Sequence, residues 1–147
     1  MAGTLALLSL FSCGLVASSA QPLQGCTDGW SEFEGSCYQL QQGLTGVEEY
    51  RLVCQAVGGD LVSIHSQEEN AFLVTLLAET RMGYTTWTWT GGKCLGHDCT
   101  WSDGSAWDFQ LFGEGQPNSS GWVVFDADHW SDVRYADWGN TDAVCKV

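Results

Sequence analysis

The chain has 147 residues, enough for one domain, and sets eighteen acidic side chains against five basic ones, a net charge of −13. A surface of that sign repels a phosphate backbone, which sets nucleic acid aside as a partner. Eighteen glycines, two prolines and eight tryptophans describe a loop-rich folded domain with ample aromatic surface to bury.

Leu5 to Val16 is mostly apolar, and Ala17-Ser18-Ser19-Ala20 puts small residues just before Gln21. This predicts a signal peptide over residues 1–20 and a secreted domain over 21–147, with no later apolar run that could span a membrane. Cys13 leaves with the signal. Cys26, Cys37, Cys54, Cys94, Cys99 and Cys145 remain, an even number that predicts three disulfides and leaves their connectivity open.

In chain order, residues 26–30 and 33–38 read as two strands around a glycine turn. Val47, Tyr50, Cys54 and Val57 form one helical stripe, which Gly58-Gly59 ends. Leu61 to Ile64 is a short strand-like run. Ser66 and Glu69 have the spacing of a capping box, in which the serine oxygen meets the free amide and the glutamate reaches back. It opens a second helix with Phe72, Leu73, Leu76 and Leu77 as its apolar face, stopping before Gly83. Thr85 to Thr90 alternates and predicts a core strand. Cys94 and Cys99 enclose a small surface loop, and residues 122–125 and 142–147 are the last strand candidates.

Residues 101–132 hold four of the eight tryptophans around a long polar loop. Gln116-Pro117-Asn118 sets two side-chain carbonyl oxygens about one proline, and the Asp132 carboxylate follows beside Trp130. Such oxygens suit a hard cation such as Ca²⁺, which a sugar's vicinal hydroxyls can share. A surface loop pinned by aromatic residues has the same composition. His65, His97 and His129 accompany no serine or cysteine in a recognisable nucleophile elbow, so an enzyme is not expected.

One order of motifs runs through the chain: Cys26 with Gly29-Trp30, Gly35-Ser36-Cys37-Tyr38, Cys54, Gly58-Gly59-Asp60-Leu61-Val62-Ser63-Ile64 and Glu68-Glu69-Asn70 with Phe72. Trp89-Thr90-Gly91-Gly92, Trp101-Ser102-Asp103-Gly104-Ser105 with Trp107, Gln116-Pro117-Asn118, Trp130-Ser131-Asp132 and Cys145 continue it. This order resembles the C-type lectin domain family over nearly all of residues 26–147. The resemblance implies an α+β fold, two helices packed on antiparallel sheets with a long loop region. It also implies the bonds Cys26–Cys37 and Cys54–Cys145, which leaves Cys94 with Cys99. By the same resemblance Gln116, Asn118 and Asp132 hold calcium and sugar together about a cis Gln116–Pro117 bond. Ser131 stands where asparagine is usual, and Trp107 or Trp122 is the candidate to stack on a sugar ring.

The chain also departs from the family pattern. Trp122 and Tyr135 occupy the two places of a further long-range disulfide, so their packing is expected to fill that gap. No acid lies between Asn118 and Trp122, so the family's intervening glutamate ligand is missing. The expected calcium site is weak, about millimolar, or absent. Asp126 and Asp128 are near enough in sequence to compensate. Gln116-Pro117-Asn118 mixes the family's galactose and mannose motifs and selects neither, and Asn118-Ser119-Ser120 is also a glycosylation sequon. The function implied is a secreted lectin that recognises glycans on microbial or cell surfaces, with calcium's help, in innate defence. The alternative is a calcium-independent domain that binds a protein, mineral or ice surface. Asp132→Ala is expected to abolish sugar binding and leave the fold intact.

Overall fold

The computed structural model describes residues 25–80, 87–126, 129–134 and 141–147. The expected signal segment, Tyr135 and the side chains of Asp126 and Asp128 lie outside that set.

The N-terminal hairpin pairs β1 (Ser31–Phe33) with β2 (Ser36–Gln42). Its turn is Glu34-Gly35, with φ of +47° and +82°. Residues 26–30, expected as a strand, are a turn instead. Gly29, at φ +86°, lets the Trp30 amide return to the Thr27 carbonyl at 3.0 Å. Helix α1 (Val47–Ala56) buries Val47, Tyr50 and Cys54. Val57 does not extend that stripe; it is the C-cap residue and is exposed. Gly58, at φ +90°, then turns the chain so that the Gly58 and Gly59 amides reach the Gln55 and Cys54 carbonyls.

Strand β3 covers only Asp60–Leu61, although Val62 and Ile64 are buried beyond it. Helix α2 (Gln67–Thr80) buries Leu73, Leu76 and Leu77 and stacks its half-buried Phe72 on Phe33 at 4.8 Å. The expected capping box is half formed. Ser66 Oγ accepts the Glu69 amide at 3.0 Å, but the Glu69 carboxylate reaches the His65 amide, one residue earlier than expected. The Tyr38 hydroxyl (2.6 Å) and the Lys146 ammonium (2.7 Å) both donate to its other oxygen, which fixes the carboxylate there.

The remaining strands are β4 (Thr88–Leu95), β5 (Asp98–Trp101), β6 (Ser120–Asp126), β7 (His129–Val133) and β8 (Asp142–Lys146). The sheet runs β1-β2-β8-β4-β6-β7, with β3 also on β8 and β5 also on β4. Among the described strands the pairings are antiparallel except β4 with β8, so the sheet is mixed, not purely antiparallel as expected. The C-terminal strand produces this by inserting between β2 and β4. Strand β7 was not foreseen: its residues are mostly polar, and apolar alternation is the signal by which a strand is read.

The sheet has a core on each face because strand side chains alternate. Along β6, Trp122 and Val124 pack with Val47 and Tyr50 of α1, whereas Val123 and Phe125 pack with Leu73 and Leu77 of α2. The disulfides are Cys26–Cys37, Cys54–Cys145 and Cys94–Cys99, as the resemblance implied. The second ties α1 to β8, and the third joins directly opposed residues of β4 and β5.

Candidate functional site

The long loop leaves β5 at Trp101 and re-enters the sheet at Ser120. Trp130, fully buried on β7, fixes its middle. The Trp130 amide donates to the Leu111 carbonyl at 2.7 Å, its carbonyl accepts from the Gly113 amide at 3.0 Å, and its indole donates to Asn70 Oδ1 of α2 at 3.0 Å. Phe109 and Phe112 pack edge-on against its ring at 5.6 and 5.9 Å.

Neither expected stacking tryptophan stands free. Trp107 is half-buried, stacked on Trp101 at 4.3 Å, with its indole donating to Gln110 Oε1. Trp122 corrects the expectation outright. It is only 6% exposed, within the α1-side core, and the Lys93 ammonium sits over its ring at 5.1 Å, where the ring's negative face attracts it. No ring face is left there for a sugar.

The structure does bring Gln116, Asn118 and Asp132 together. The Gln116–Pro117 bond is cis, as expected. Asp132 is 5% exposed, and both its oxygens are engaged. Oδ1 accepts the Asn118 amide at 2.7 Å; Oδ2 accepts the Ser119 amide at 2.8 Å and the Ser119 hydroxyl at 2.7 Å. The return bond runs from the Asp132 amide to Gln116 Oε1 at 3.2 Å. Asn118 keeps an exposed side chain, and Ser131 is half-buried.

A calcium ion needs about six to eight oxygen ligands. Here the matched carboxylate already holds three donors, charge-assisted bonds of the stronger kind, and the Gln116 oxygen holds a fourth. As arranged, these residues do not fit the ion. Among the described residues no three His, Cys, Asp or Glu side chains gather at one point either.

A second cluster lies at the loop's other end; Asp60, Ser63, Ser102 and Asp103 belong to the quoted motifs, but the order of motifs did not show that they meet. Arg51 of α1 grips Asp60 through Nε (3.0 Å) and a terminal nitrogen (3.1 Å), and that nitrogen also donates to the Ser102 carbonyl. Beside it, Ser63 donates to Asp103 Oδ2 at 2.5 Å. His65 Nε2 is 3.1 Å from Ser63 Oγ, and His65 Nδ1 is 2.7 Å from Asp108 Oδ1. Burial alone would raise the Asp103 carboxyl, but hydrogen bonds from Ser105 and Ser63 outweigh it and hold the group below its ordinary value. The His65 hydrogen bond holds Asp108 below its ordinary value too. Beyond those motifs, the sequence signal was Ser63 and His65 two apart, which in extended chain puts them on one face. A groove of about 490 Å³ is lined by Cys26 and Trp30 of the N-terminal turn, Val57 at the end of α1 and the C-terminal Val147, away from the long loop.

Two helices on a mixed sheet, a terminal strand bonded to α1 and a long irregular loop nailed by a tryptophan define a C-type lectin fold. The family model described as "Lectin C-type domain" matches residues 44–146, and the chain belongs to that family. It is 32% identical to ladderlectin of Oncorhynchus mykiss over 105 residues, covering 70% of this chain but only 55% of that one. It is 30% identical to the galactose-specific lectin nattectin of Thalassophryne nattereri over 126 residues, covering 83% and 75% of the two chains. Human lithostathine superposes with a TM-score of 0.79 at 26% identity, over 89% of this chain and 97% of that one. The Ca²⁺-independent C-type lectin SPL-2 of Saxidomus purpuratus gives 0.71 at 25% identity, over 83% and 93%. None of the described helices is long and apolar enough to cross a membrane.

Proposed function

We propose that this chain is a secreted lectin, a binding protein and not an enzyme, that recognises glycans through the tip of its long loop without needing calcium. The observation that carries the reading is the closed brace between Asp132 and residues 116–119. It does by hydrogen bonding what a shared cation would do, holding the loop in one conformation before ligand arrives. Gln116 and Asn118 are then sugar contacts, the exposed Asn118 carboxamide offering both donors and an acceptor to vicinal hydroxyls. Asp132 holds the loop, Ser131 lies beside it on β7, and Trp107 is a half-buried ring of the same loop. Relatives that are lectins, one named galactose-specific and one calcium-independent, support this class of ligand. Glycans of microbial surfaces and a role in innate defence are part of the same reading.

A second reading, a domain that binds a protein or mineral surface, draws on the net charge of −13. Retention on immobilised galactose, mannose and N-acetylglucosamine, with Ca²⁺ and with EDTA, separates the two. Retention that survives EDTA is expected. Elution by EDTA would restore the calcium mechanism, and failure to bind any sugar would favour the surface reading.

A further inference from the structure

Ser63 has one hydroxyl proton, and the Asp103 contact uses it, because an ionised carboxylate can only accept. Ser63 Oγ is then an acceptor toward His65 Nε2. On the ring's other side, Asp108 Oδ1 is also an acceptor. Both ring nitrogens therefore face acceptors, and both must donate to keep both bonds. A neutral imidazole has one N–H and can keep only one of them.

We propose that His65 is a pH-sensitive clamp on the long loop, closed when the ring carries two protons and half-open when it carries one. The clamp joins the β3–α2 connection, through Ser63 and His65, to the loop at Asp103 and Asp108. Asp108 follows Trp107 in the chain, and the Trp101 ring on which Trp107 stacks lies 6.2 Å from the imidazole. Releasing Asp108 therefore removes one tether of the segment whose Trp107 also stacks on Trp101 and donates to Gln110. The other charged groups around the ring are Glu69 of α2, whose Oε2 accepts the His65 amide, and Lys146 of β8, which donates to Glu69 and to the Ser63 carbonyl. Lys146 also stabilises the Asp103 and Asp108 carboxylates. No serine-protease logic applies. The catalytic base must accept the serine proton, whereas this ring donates to an Oγ that is buried and already bonded to Asp103.

The clamp's contribution is complete below the pH at which the ring loses its second proton and falls away as pH rises through it. On the acid side Asp108 is held below the ordinary carboxyl value by its hydrogen bond with His65, so its side of the clamp is present above that ordinary value and is lost as pH falls through the lowered one. This rests on the fold and not on the glycan reading, so its test needs no sugar. In the full secreted chain, the His65 ring and the Trp101 and Trp107 indole signals are followed by NMR across pH. The expected result is one shared midpoint for all three. In Asp108→Ala, an exposed change that removes the ring's partner on the loop, the indole signals should no longer follow the His65 ring. His65→Gln should remove the pH dependence of the indole signals. Wild-type indole signals that ignore the state of the His65 ring, or that still follow it in Asp108→Ala, would overturn the clamp.

Discussion

Ser119 and Asp132 are joined twice at a single oxygen: the Ser119 amide and hydroxyl both donate to Asp132 Oδ2, at 2.8 and 2.7 Å. With the Asn118 amide on Oδ1, the carboxylate closes the loop tip onto β7. The residue that family resemblance assigns to a metal is here the loop's internal fastening.

Replacing it should therefore cost stability, contrary to the expectation from sequence that Asp132→Ala leaves the fold intact. The substitution leaves two amides and a hydroxyl without their acceptor in a part-buried setting, about 3 kcal/mol in all. Thermal unfolding checks this; a variant as stable as wild type would mean that the brace is idle.

Glu69 should matter as much, though it touches no ligand surface. It collects the Tyr38 hydroxyl, the Lys146 ammonium and the His65 amide. Glu69→Ala strands the largely buried Lys146 charge and should cost about 3 kcal/mol. Burial first, and the Glu69 carboxylate second, hold the Tyr38 phenol well above its ordinary value. In Glu69→Gln, which removes the charge, its ultraviolet ionisation band should appear at lower pH than in wild type.

The disulfides should separate by loop length. Cys54 and Cys145 are 91 residues apart and Cys94 and Cys99 five. On the chain-entropy account, removal costs about 4.6 kcal/mol for the first and about 2 kcal/mol for the second. Paired Cys→Ser variants in denaturant would expose the difference, and equal losses would contradict the ordering.

Acid should weaken the loop's attachment. Asp103 and Asp108 both have folded values below the unfolded reference of about 3.9, so their contribution is present above that pH and is lost as pH falls through the folded values. Asp103→Asn should flatten the stability profile below about pH 4.

These outcomes mark where the sequence was legible. Val47, Tyr50 and Cys54 revealed α1 because burial imposes a helical period, and the order of motifs identified the disulfide partners. Strand β7 stayed hidden because His129, Ser131 and Asp132 break the apolar alternation; the burial of Asp132 depends on donors supplied thirteen and fourteen residues away. A carboxylate's identity can be read from sequence, but whether it faces a cation or its own loop amides is decided by tertiary packing. The contact between His65 and Asp108, 43 residues apart, is hidden for the same reason.

The most direct test of the account is the unfolding temperature in about 10 mM Ca²⁺ against EDTA, read beside sugar retention in both. A site of about millimolar affinity would add roughly 1.4 kcal/mol at that concentration, a rise of several degrees. The brace predicts no calcium-dependent rise and sugar retention equal in both buffers. A calcium-dependent rise that disappears in Asp132→Asn, together with sugar binding lost in EDTA, would contradict it.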